Sequence, residues 1–335
     1  MELAIQLAEH TSNIYIERDA RLHLKEYLNL NCKVMIITDK GVPAQYHQEI
    51  MKQCENGYLY VAEQGEGTKS FRVYEDIINR LLELNFSRKD LVIALGGGVI
   101  GDLSGFVAGT FKRGMRFASI PTTTLSQIDS SIGGKVAVNV GEVKNVVGTF
   151  YHPEVVVIDL NTVKTLTKRH YHNGLVEAVK AGLIADRELF ELFERADDLE
   201  EHLEEIIIRA LKVKKAVVEQ DEKEEHLRKI LNFGHTIGHA IESYYHLEEY
   251  LHGECVAMGM LYFIDDPSLK QRVLRVYERL GIQKETSFDP TSIYHLLCND
   301  KKASGNSVTC VHVKELGKAE LIETPLELLK TKLGG

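Results

Sequence analysis

The sequence has no apolar run long enough to cross a bilayer, and its N-terminus has no basic segment followed by an apolar one. We therefore expect neither a membrane span nor secretion, and we expect a cytoplasmic location. The five cysteines include no Cys-x-x-Cys pair, which favours free thiols in a reducing compartment over a disulfide framework. The formal net charge of −9 argues against nucleic acid as the main partner. It agrees with an anionic small molecule, because a pocket needs only a local group of Lys and Arg.

The 335 residues are enough for two domains, and the strand signals are concentrated in the first half. Short β-rich runs alternate with helical patterns there, which predicts an α/β domain with a largely parallel sheet. The predicted strands are 33–39, 57–63, 90–98, 116–121 and 154–160, and the predicted helices are 74–84 and 103–111. Beyond about residue 160 nearly every segment is helical by its apolar spacing, with one weak strand at 307–313. We therefore expect a second, helical domain.

A glycine-rich turn joins a predicted strand to a predicted helix in LVIALGGGVIGD. It matches G-x-G-x-x-G, whose backbone N–H groups can bind a phosphate, through Gly96, Gly98 and Gly101. The motif alone is weak, because a tight turn without a ligand fits it too. The usual acid-ended strand also follows the glycines, whereas here it precedes them and ends at Asp39. Asp39 could nevertheless bind ribose hydroxyls, and a second glycine loop, GEGTKS, carries Glu66 and Lys69.

A polar stripe is predicted in the second domain. If residues 228–241 form one helix, four side chains fall within roughly 60° of one another, opposite an apolar face. They are Arg228, Asn232, His235 and His239. A solvent-exposed face is the simpler explanation, but such faces favour Lys and Glu. We prefer a pocket, because buried polar groups need partners.

Two histidines of this stripe, His235 and His239, are four residues apart and could bind one metal ion. No Glu follows the first, so this is not the H-E-x-x-H motif of zinc proteases. Further candidate ligands are His252 and Glu177, and Lys180 shares a helix face with Glu177. A catalytic zinc ion needs three N/O ligands and an open position, which Glu177 and two of the three histidines would supply. Spacing does not decide which two, and for any one histidine a structural role is the default.

A third group of polar residues lies in IDSSIGGKVAVN and in the VKN that follows it. Two glycines in this segment would let the backbone approach a ligand closely. The polar residues are Asp129, Lys135, Lys144 and Asn145. Near the C-terminus, Lys301 and Lys302 of NDKK are ordinary surface lysines on their own evidence.

Taken together, these motifs resemble the 3-dehydroquinate synthase family of the sugar-phosphate cyclase superfamily, over nearly the whole chain. The blocks that carry the resemblance are GGGVIGDLSGFVAGTFKRG, IPTTTLSQIDSSIGGKVAVN, GLVEAVKAGLI, KAVVEQDEKE, LNFGHTIGHAIE, LHGECVAMGM and DKK. The resemblance implies a Rossmann-like NAD-binding domain at 1–160 and an all-α metal- and substrate-binding domain at 161–335, with the active site in the cleft between them. It also implies a homodimer.

The reaction implied by this resemblance converts 3-deoxy-D-arabino-heptulosonate 7-phosphate to 3-dehydroquinate and phosphate, the second step of the shikimate pathway. Such an enzyme is a phosphate-eliminating carbon–oxygen lyase. On this resemblance, bound NAD would oxidise the C5 hydroxyl to a ketone. The ketone would acidify the neighbouring C6 hydrogen, so that phosphate could leave. NADH would then return the hydride, and the ring would open and reclose by an aldol step. One Zn²⁺ or Co²⁺ ion is the implied metal.

The resemblance also implies roles for individual residues. The metal ligands would be Glu177, His235 and His252, and Lys180 would belong to the catalytic residues. The NAD site would contain Asp39, Glu66, Lys69, Gly98, Gly101, Asp102, Thr122, Thr123, Lys135 and Lys144. Phosphate or hydroxyl groups would be bound by Lys135, Asn145, Asn232, His239 and either Lys301 or Lys302. Asp129 would lie near the reacting hydroxyl, Lys214 and Arg228 would bind the carboxylate, and Arg113 would come from a second subunit.

Three other functions are the alternatives. A relative such as 2-deoxy-scyllo-inosose synthase would take a substrate without a carboxylate, and Lys214 and Arg228 count against it. A metal-dependent polyol dehydrogenase would release NADH and normally has Asp where this chain has Glu177. An NAD-binding regulator without activity would lack some of the site residues, and all of the principal ones are present.

Overall fold

The computed structural model describes residues 1–8, 10–141, 143–245, 249–301 and 306–334, leaving out the side chains of 299–301. The chain divides into two compact units, Met1–Leu166 and Thr167–Gly335, whereas the motifs placed the boundary after residue 160. The first unit extends further because the 3₁₀ turn Thr162–Thr165 is bonded to it. There the Gln127 amide donates to Thr162 Oγ1 over 3.0 Å. In the part of the chain described, no helix is long and apolar enough to cross a membrane.

The first unit is built on a seven-stranded sheet. Its strands are β1 (Glu2–Gln6), β2 (Thr11–Glu17), β3 (Lys33–Asp39), β4 (Asn56–Ala62), β5 (Leu91–Gly96), β6 (Arg116–Pro121) and β9 (Val155–Asp159). They are ordered β1-β2-β9-β6-β5-β3-β4, and every pair is parallel except β1 with β2. A separate antiparallel hairpin is formed by β7 (Lys135–Val140) and β8 (Val143–Phe150).

The central strands are apolar because helices cover both faces of the sheet. The helices of this unit are α1 (Ala44–Met51), α2 (Phe71–Glu83) and α3 (Gly98–Thr110). Side chains alternate along β3, so Met35 and Ile37 join one core cluster while Val34 and Ile36 join the other. Because both faces of the central strands are buried, their sequences are continuous apolar runs rich in β-branched residues. Such runs are what predicted the strand positions.

The second unit is mainly helical. Its helices are α4 (Lys168–Ala185), α5 (Arg187–Arg195), α6 (Leu203–Gln220), α7 (His235–Tyr244), α8 (His252–Met260), α9 (Pro267–Leu280), α10 (Pro290–Lys301) and α11 (Leu326–Lys332). It also contains an antiparallel hairpin of β10 (Ser307–Glu315) and β11 (Lys318–Pro325). The weak strand predicted at 307–313 is the start of β10, and β11 was not predicted.

The prediction of one helix over residues 228–241 is wrong. Leu227–Asn232 is a 3₁₀ turn, and α7 begins only at His235. Gly234 separates them with φ of +80°, a conformation that glycine adopts without strain. A Cβ there would lie 2.5 Å from Met260 Cγ and 2.6 Å from the Val256 carbonyl oxygen of α8. The close approach of α8 therefore breaks the helix, and Arg228 and Asn232 do not share a helical face with the two histidines.

Candidate active site: a buried Glu–His cluster and a glycine-rich sheet edge

The second unit carries a carboxylate in an almost wholly buried helix. Glu177 is 2% exposed and Lys180, one turn further along α4, is 4% exposed. The Lys180 ammonium lies against Glu177 Oε2. Neither carboxylate oxygen accepts a hydrogen bond of normal geometry from any residue the structure describes. A buried carboxylate in this condition needs further compensation for its lost hydration.

Two histidines approach this carboxylate from the first residues of two helices, α7 and α8. The Nε2 atoms of His235 and His252 each lie 3.9 Å from Glu177 Oε1. The other ring nitrogen of each histidine has a partner of its own. His235 Nδ1 lies 3.2 Å from the Phe233 carbonyl oxygen, and His252 Nδ1 lies 3.3 Å from Glu242 Oε2. Carbonyl and carboxylate oxygens only accept, so both contacts require the hydrogen on Nδ1. This leaves each Nε2, 3.9 Å from Glu177 Oε1, as the ring atom that could bind a metal.

The protonation of these histidines is set by burial and by neighbouring charges. Burial lowers the pKa of His235 well below its usual range, and the charge on Lys180 adds to that shift. His235 is therefore neutral at pH 7, as a metal ligand must be. Burial also opposes the charged form of His252, but the hydrogen bond with Glu242 and the Glu177 charge outweigh it and raise its pKa.

A third histidine, His239, lies beside these two. The three rings offer nitrogen atoms that all lie within 4.8 Å of one another. His239 is exposed, whereas His235 and His252 are partly buried and Glu177 is buried. Two ligand sets are therefore geometrically available around one ion: the three histidines, or Glu177 with His235 and His252.

The residues present fit a divalent transition metal. Bond lengths near 2.1 Å in a tetrahedral site separate neighbouring ligand atoms by roughly 3.4 Å. The two Glu177–histidine distances of 3.9 Å are close to that separation. A carboxylate oxygen without a hydrogen bond and two imidazoles held at Nδ1 are donors of the kind that catalytic metal sites use.

Other predicted substrate residues of this unit lie on α6 and on the loop that precedes α7. Lys214 and Arg228 are both buried. The Asp221 carboxylate accepts hydrogen bonds from three backbone N–H groups. These bonds lower the pKa of Asp221 to about 2, and the bond from the Arg228 N–H contributes most. The amide of Asn232 donates to Glu224 Oε1 over 2.6 Å. The loop is thus held by its own acidic residues. The side chain of Lys301 and all of Lys302 lie outside the described residues.

In the first unit, several of the predicted nucleotide residues lie at the carboxyl edge of the sheet. Strand β3, ending at Asp39, lies between β4 and β5, so successive strands are added on opposite sides of β3. Open α/β sheets bind ligands at such a switch point. The glycine turn between β5 and α3 lies there, beside β6 and Thr122. A Cβ on Gly97 would lie 3.1 Å from Thr123 Cγ2, whereas one on Gly101 would meet nothing within 4 Å. Burial raises the pKa of Asp39.

The buried ammonium of Lys69 connects several residues predicted separately. Its Nζ donates to Asp102 Oδ2 over 2.6 Å and to the Asn145 side-chain oxygen, and Glu66 Oε1 is 3.7 Å away. Asn139 closes the network, because its amide donates to Glu66 over 2.8 Å and its oxygen accepts the Asn145 N–H over 2.9 Å. The second glycine loop and the hairpin are thus joined at one point.

Four further predicted residues of this unit are more widely distributed. Asp129 lies in the π-helical turn Ser126–Ser130 after β6, and Lys135 begins β7 with an exposed side chain. Lys144 is half-buried in β8. Arg113 is exposed, with φ of +65°, in the short turn after α3.

Sequence reasoning missed two residues of these clusters. Glu242 follows His239 by three positions and His235 by seven, so helical spacing alone places it on their face and could have identified it. Asn139 ends the KVAVN segment, and strand alternation gives no comparable signal for its bond to Glu66.

The comparisons with known proteins agree over both units. The 3-dehydroquinate synthase N-terminal family matches residues 59–173, and the 3-dehydroquinate synthase C-terminal family matches residues 174–303. A 3-dehydroquinate synthase of Clostridium beijerinckii is 39% identical over 347 aligned positions, covering 97% of this chain and 99% of that protein.

Solved structures show the same fold. A 2-deoxy-scyllo-inosose synthase complexed with carbaglucose-6-phosphate, NAD⁺ and Co²⁺ has a TM-score of 0.89 at 24% identity, covering 99% of both chains. A 2-epi-5-epi-valiolone synthase from Streptomyces hygroscopicus with NAD⁺ and Zn²⁺ bound has a TM-score of 0.88 at 25% identity, covering 98% of both. The fold class and the enzyme family predicted from the motifs are confirmed. This chain belongs to the 3-dehydroquinate synthase family.

Proposed function

We propose that this chain converts 3-deoxy-D-arabino-heptulosonate 7-phosphate to 3-dehydroquinate and phosphate. The observation that carries the proposal is the Glu177–His235–His252 cluster, in a chain that matches both halves of the family. NAD supplies a hydride acceptor that is restored within each turnover. Its ribose and phosphates would be bound by Asp39 and the glycine turn, where a helix N-terminus and backbone N–H groups favour anions.

We assign the metal to Glu177, His235 and His252. When bound, a Zn²⁺ or Co²⁺ ion supplies Lewis acidity toward the substrate hydroxyls. The assignment is supported by the burial of Glu177, by the Nδ1 contacts and by the distance of 3.9 Å from each Nε2 to Glu177 Oε1. The related synthase structures hold Co²⁺ or Zn²⁺ together with NAD⁺. His239 is exposed one turn along α7, so its ring is available to substrate oxygen atoms.

The remaining basic and amide side chains would hold the substrate. Arg228 and Lys214 are buried cations suited to a carboxylate, and the guanidinium can form a two-point contact that an ammonium cannot. Asn232 and His239, with Lys135, Asn145 and a lysine of the NDKK segment, would bind phosphate or hydroxyl groups. Asp129 would lie near the reacting hydroxyl and Lys180 beside the metal ligand Glu177.

The first prediction concerns turnover. The protein, loaded with Zn²⁺ or Co²⁺ and NAD, should release phosphate from the heptulosonate phosphate with no net accumulation of NADH, because the hydride is returned. Phosphate release and absorbance at the NADH maximum are measured together. One NADH per turnover would instead indicate a polyol dehydrogenase. A preference for glucose 6-phosphate, which has no carboxylate, would indicate a related cyclase.

The second prediction separates the adjacent histidines. His235→Ala should lose bound metal, whereas His239→Ala should keep close to one equivalent but lose most of its turnover. Elemental analysis after dialysis against dilute metal gives the stoichiometry. Loss of metal in His239→Ala with retention in His235→Ala is the result that overturns the assignment.

The third prediction concerns Glu242, which holds the His252 ring. Glu242→Ala should weaken metal affinity by about ten- to a hundredfold, the usual cost of removing an outer partner of a metal-bound histidine. Competition with a chromogenic chelator measures the dissociation constant. Glu320→Ala, a variant of an exposed carboxylate on β11, is the control and should bind metal as the wild type does. Equal affinity in both variants would show that Glu242 does not support the site.

The fourth prediction concerns assembly. We propose a homodimer in which Arg113 reaches the neighbour's active site. We also propose a cytoplasmic location, which recovery of the chain in a membrane or secreted fraction would contradict. The support is the exposure of Arg113 and of apolar side chains on β8, where Val143 is 58% and Val146 56% exposed. Mixing inactive Arg113→Ala with inactive Lys214→Ala protein should restore part of the activity, because each hybrid dimer contains one intact site. Demonstrated subunit exchange without any rescue would exclude a shared site.

A further inference from the structure

Three side chains on one stripe of α4 contact three successive residues at the start of α8. Arg169, Asn173 and Glu177 are spaced four apart, so they lie on one face of the helix. Their partners on α8 run in the opposite order, Glu254, Gly253 and His252. Only the last pair belongs to the metal site. The other two pairs lie up to roughly 12 Å from it along α4.

The first pair is a two-point ionic contact. Arg169 donates from Nε to Glu254 Oε1 over 2.8 Å and from Nη2 to Oε2 over 2.7 Å. Nη2 also donates to the carbonyl oxygen of Glu249 over 2.7 Å. Glu254 Oε2 in turn accepts the backbone N–H of Leu251 over 2.8 Å, at the residue before His252. Arg169 therefore fixes the group that caps the first turn of α8.

The second pair brings the two helices into direct contact. The backbone N–H of Gly253 donates to Asn173 Oδ1 over 2.7 Å, and both residues are buried. A Cβ on Gly253 would lie 2.2 Å from the Asn173 carbonyl oxygen, so only glycine permits this approach. The residues on both sides of His252 are thus held to α4, the helix that carries Glu177.

We infer that Arg169 and Asn173 are positioning residues that set the distance between Glu177 and His252. Neither touches the ligand atoms, and both act through the backbone on either side of His252. The Glu242 contact holds the His252 ring, whereas these two contacts hold its backbone. The inference depends on the proposed metal assignment, since it concerns the geometry of two of the three assigned ligands.

The test compares metal affinity in variants of two similar ion pairs. Arg169→Ala should raise the dissociation constant for Zn²⁺ by about tenfold. Arg169→Lys keeps the charge but loses the two-point contact, so its dissociation constant should lie between those of Arg169→Ala and the wild type. The control is Arg272→Ala. Arg272 contacts Glu194 in the same two-point manner, over 2.8 and 2.6 Å, between α9 and α5. It should change thermal stability and leave the dissociation constant within about twofold of wild type.

Two further variants make the outcome decisive. His252→Ala should lose metal, and its retention of wild-type affinity would overturn the metal assignment itself. If His252→Ala loses metal while Arg169→Ala and Asn173→Ala bind it as wild type does, the positioning inference is wrong. Asn173→Asp, which keeps an acceptor for the Gly253 N–H, should bind Zn²⁺ close to the wild-type affinity. If Asn173→Ala does not fold, Arg169→Ala alone decides the comparison. At saturating Zn²⁺, the activity of Arg169→Ala should recover, because the defect lies in holding the ion.

Discussion

The carboxylate of Glu177 is the group on which the second unit depends. It lies in the middle of a buried helix, beside Lys180, and neither of its oxygens accepts a hydrogen bond from a described residue. Desolvating such a group costs several kcal/mol unless a counter-charge is close. One ammonium is present, and two imidazole nitrogens lie 3.9 Å away on the other side. A cation beside Glu177 would offset the remaining cost, so the burial of this carboxylate supports the proposed metal site.

The helix ends determine where the histidines lie. His235 and His252 are the first residues of α7 and α8, and each is preceded by backbone that the packing constrains. Gly234 turns the chain immediately before His235, and the Leu251 N–H is held by Glu254 immediately before His252. Residues at helix starts are fixed by the cap as well as by the helix, which defines the positions of the two proposed ligands better than a loop would.

Part of this architecture could be predicted from sequence, because its signals are local. The strands 33–39 and 116–121 match β3 and β6, since both are continuous apolar runs buried on two faces. The helix over 228–241 could not be corrected from sequence, because its break depends on Met260 and Val256 of another helix. Hairpin β7–β8 was missed because β8 is exposed along most of its length and has no clear alternation.

The residues of the candidate site also fall into two groups, those with a local signal in the sequence and those without one. Residue types made Glu177 and the three histidines candidate ligands, and the family resemblance implied the set Glu177, His235 and His252. Glu242 was accessible through its helical spacing. The contact between Arg169 and Glu254 joins residues 85 positions apart and has no local signature. The partners of Lys69 likewise come from three separate segments, so only the folded chain brings Asp102 and Asn145 together.

The central claim is that one carboxylate and two imidazoles hold the metal while His239 stays outside the coordination shell. X-ray absorption spectroscopy on the Zn²⁺-loaded wild-type protein, without substrate, tests this directly. The account predicts an outer-shell scattering pattern that fits two imidazole rings, with the remaining first-shell ligands being oxygen. A pattern that requires three imidazole rings would contradict it and would place His239 on the metal.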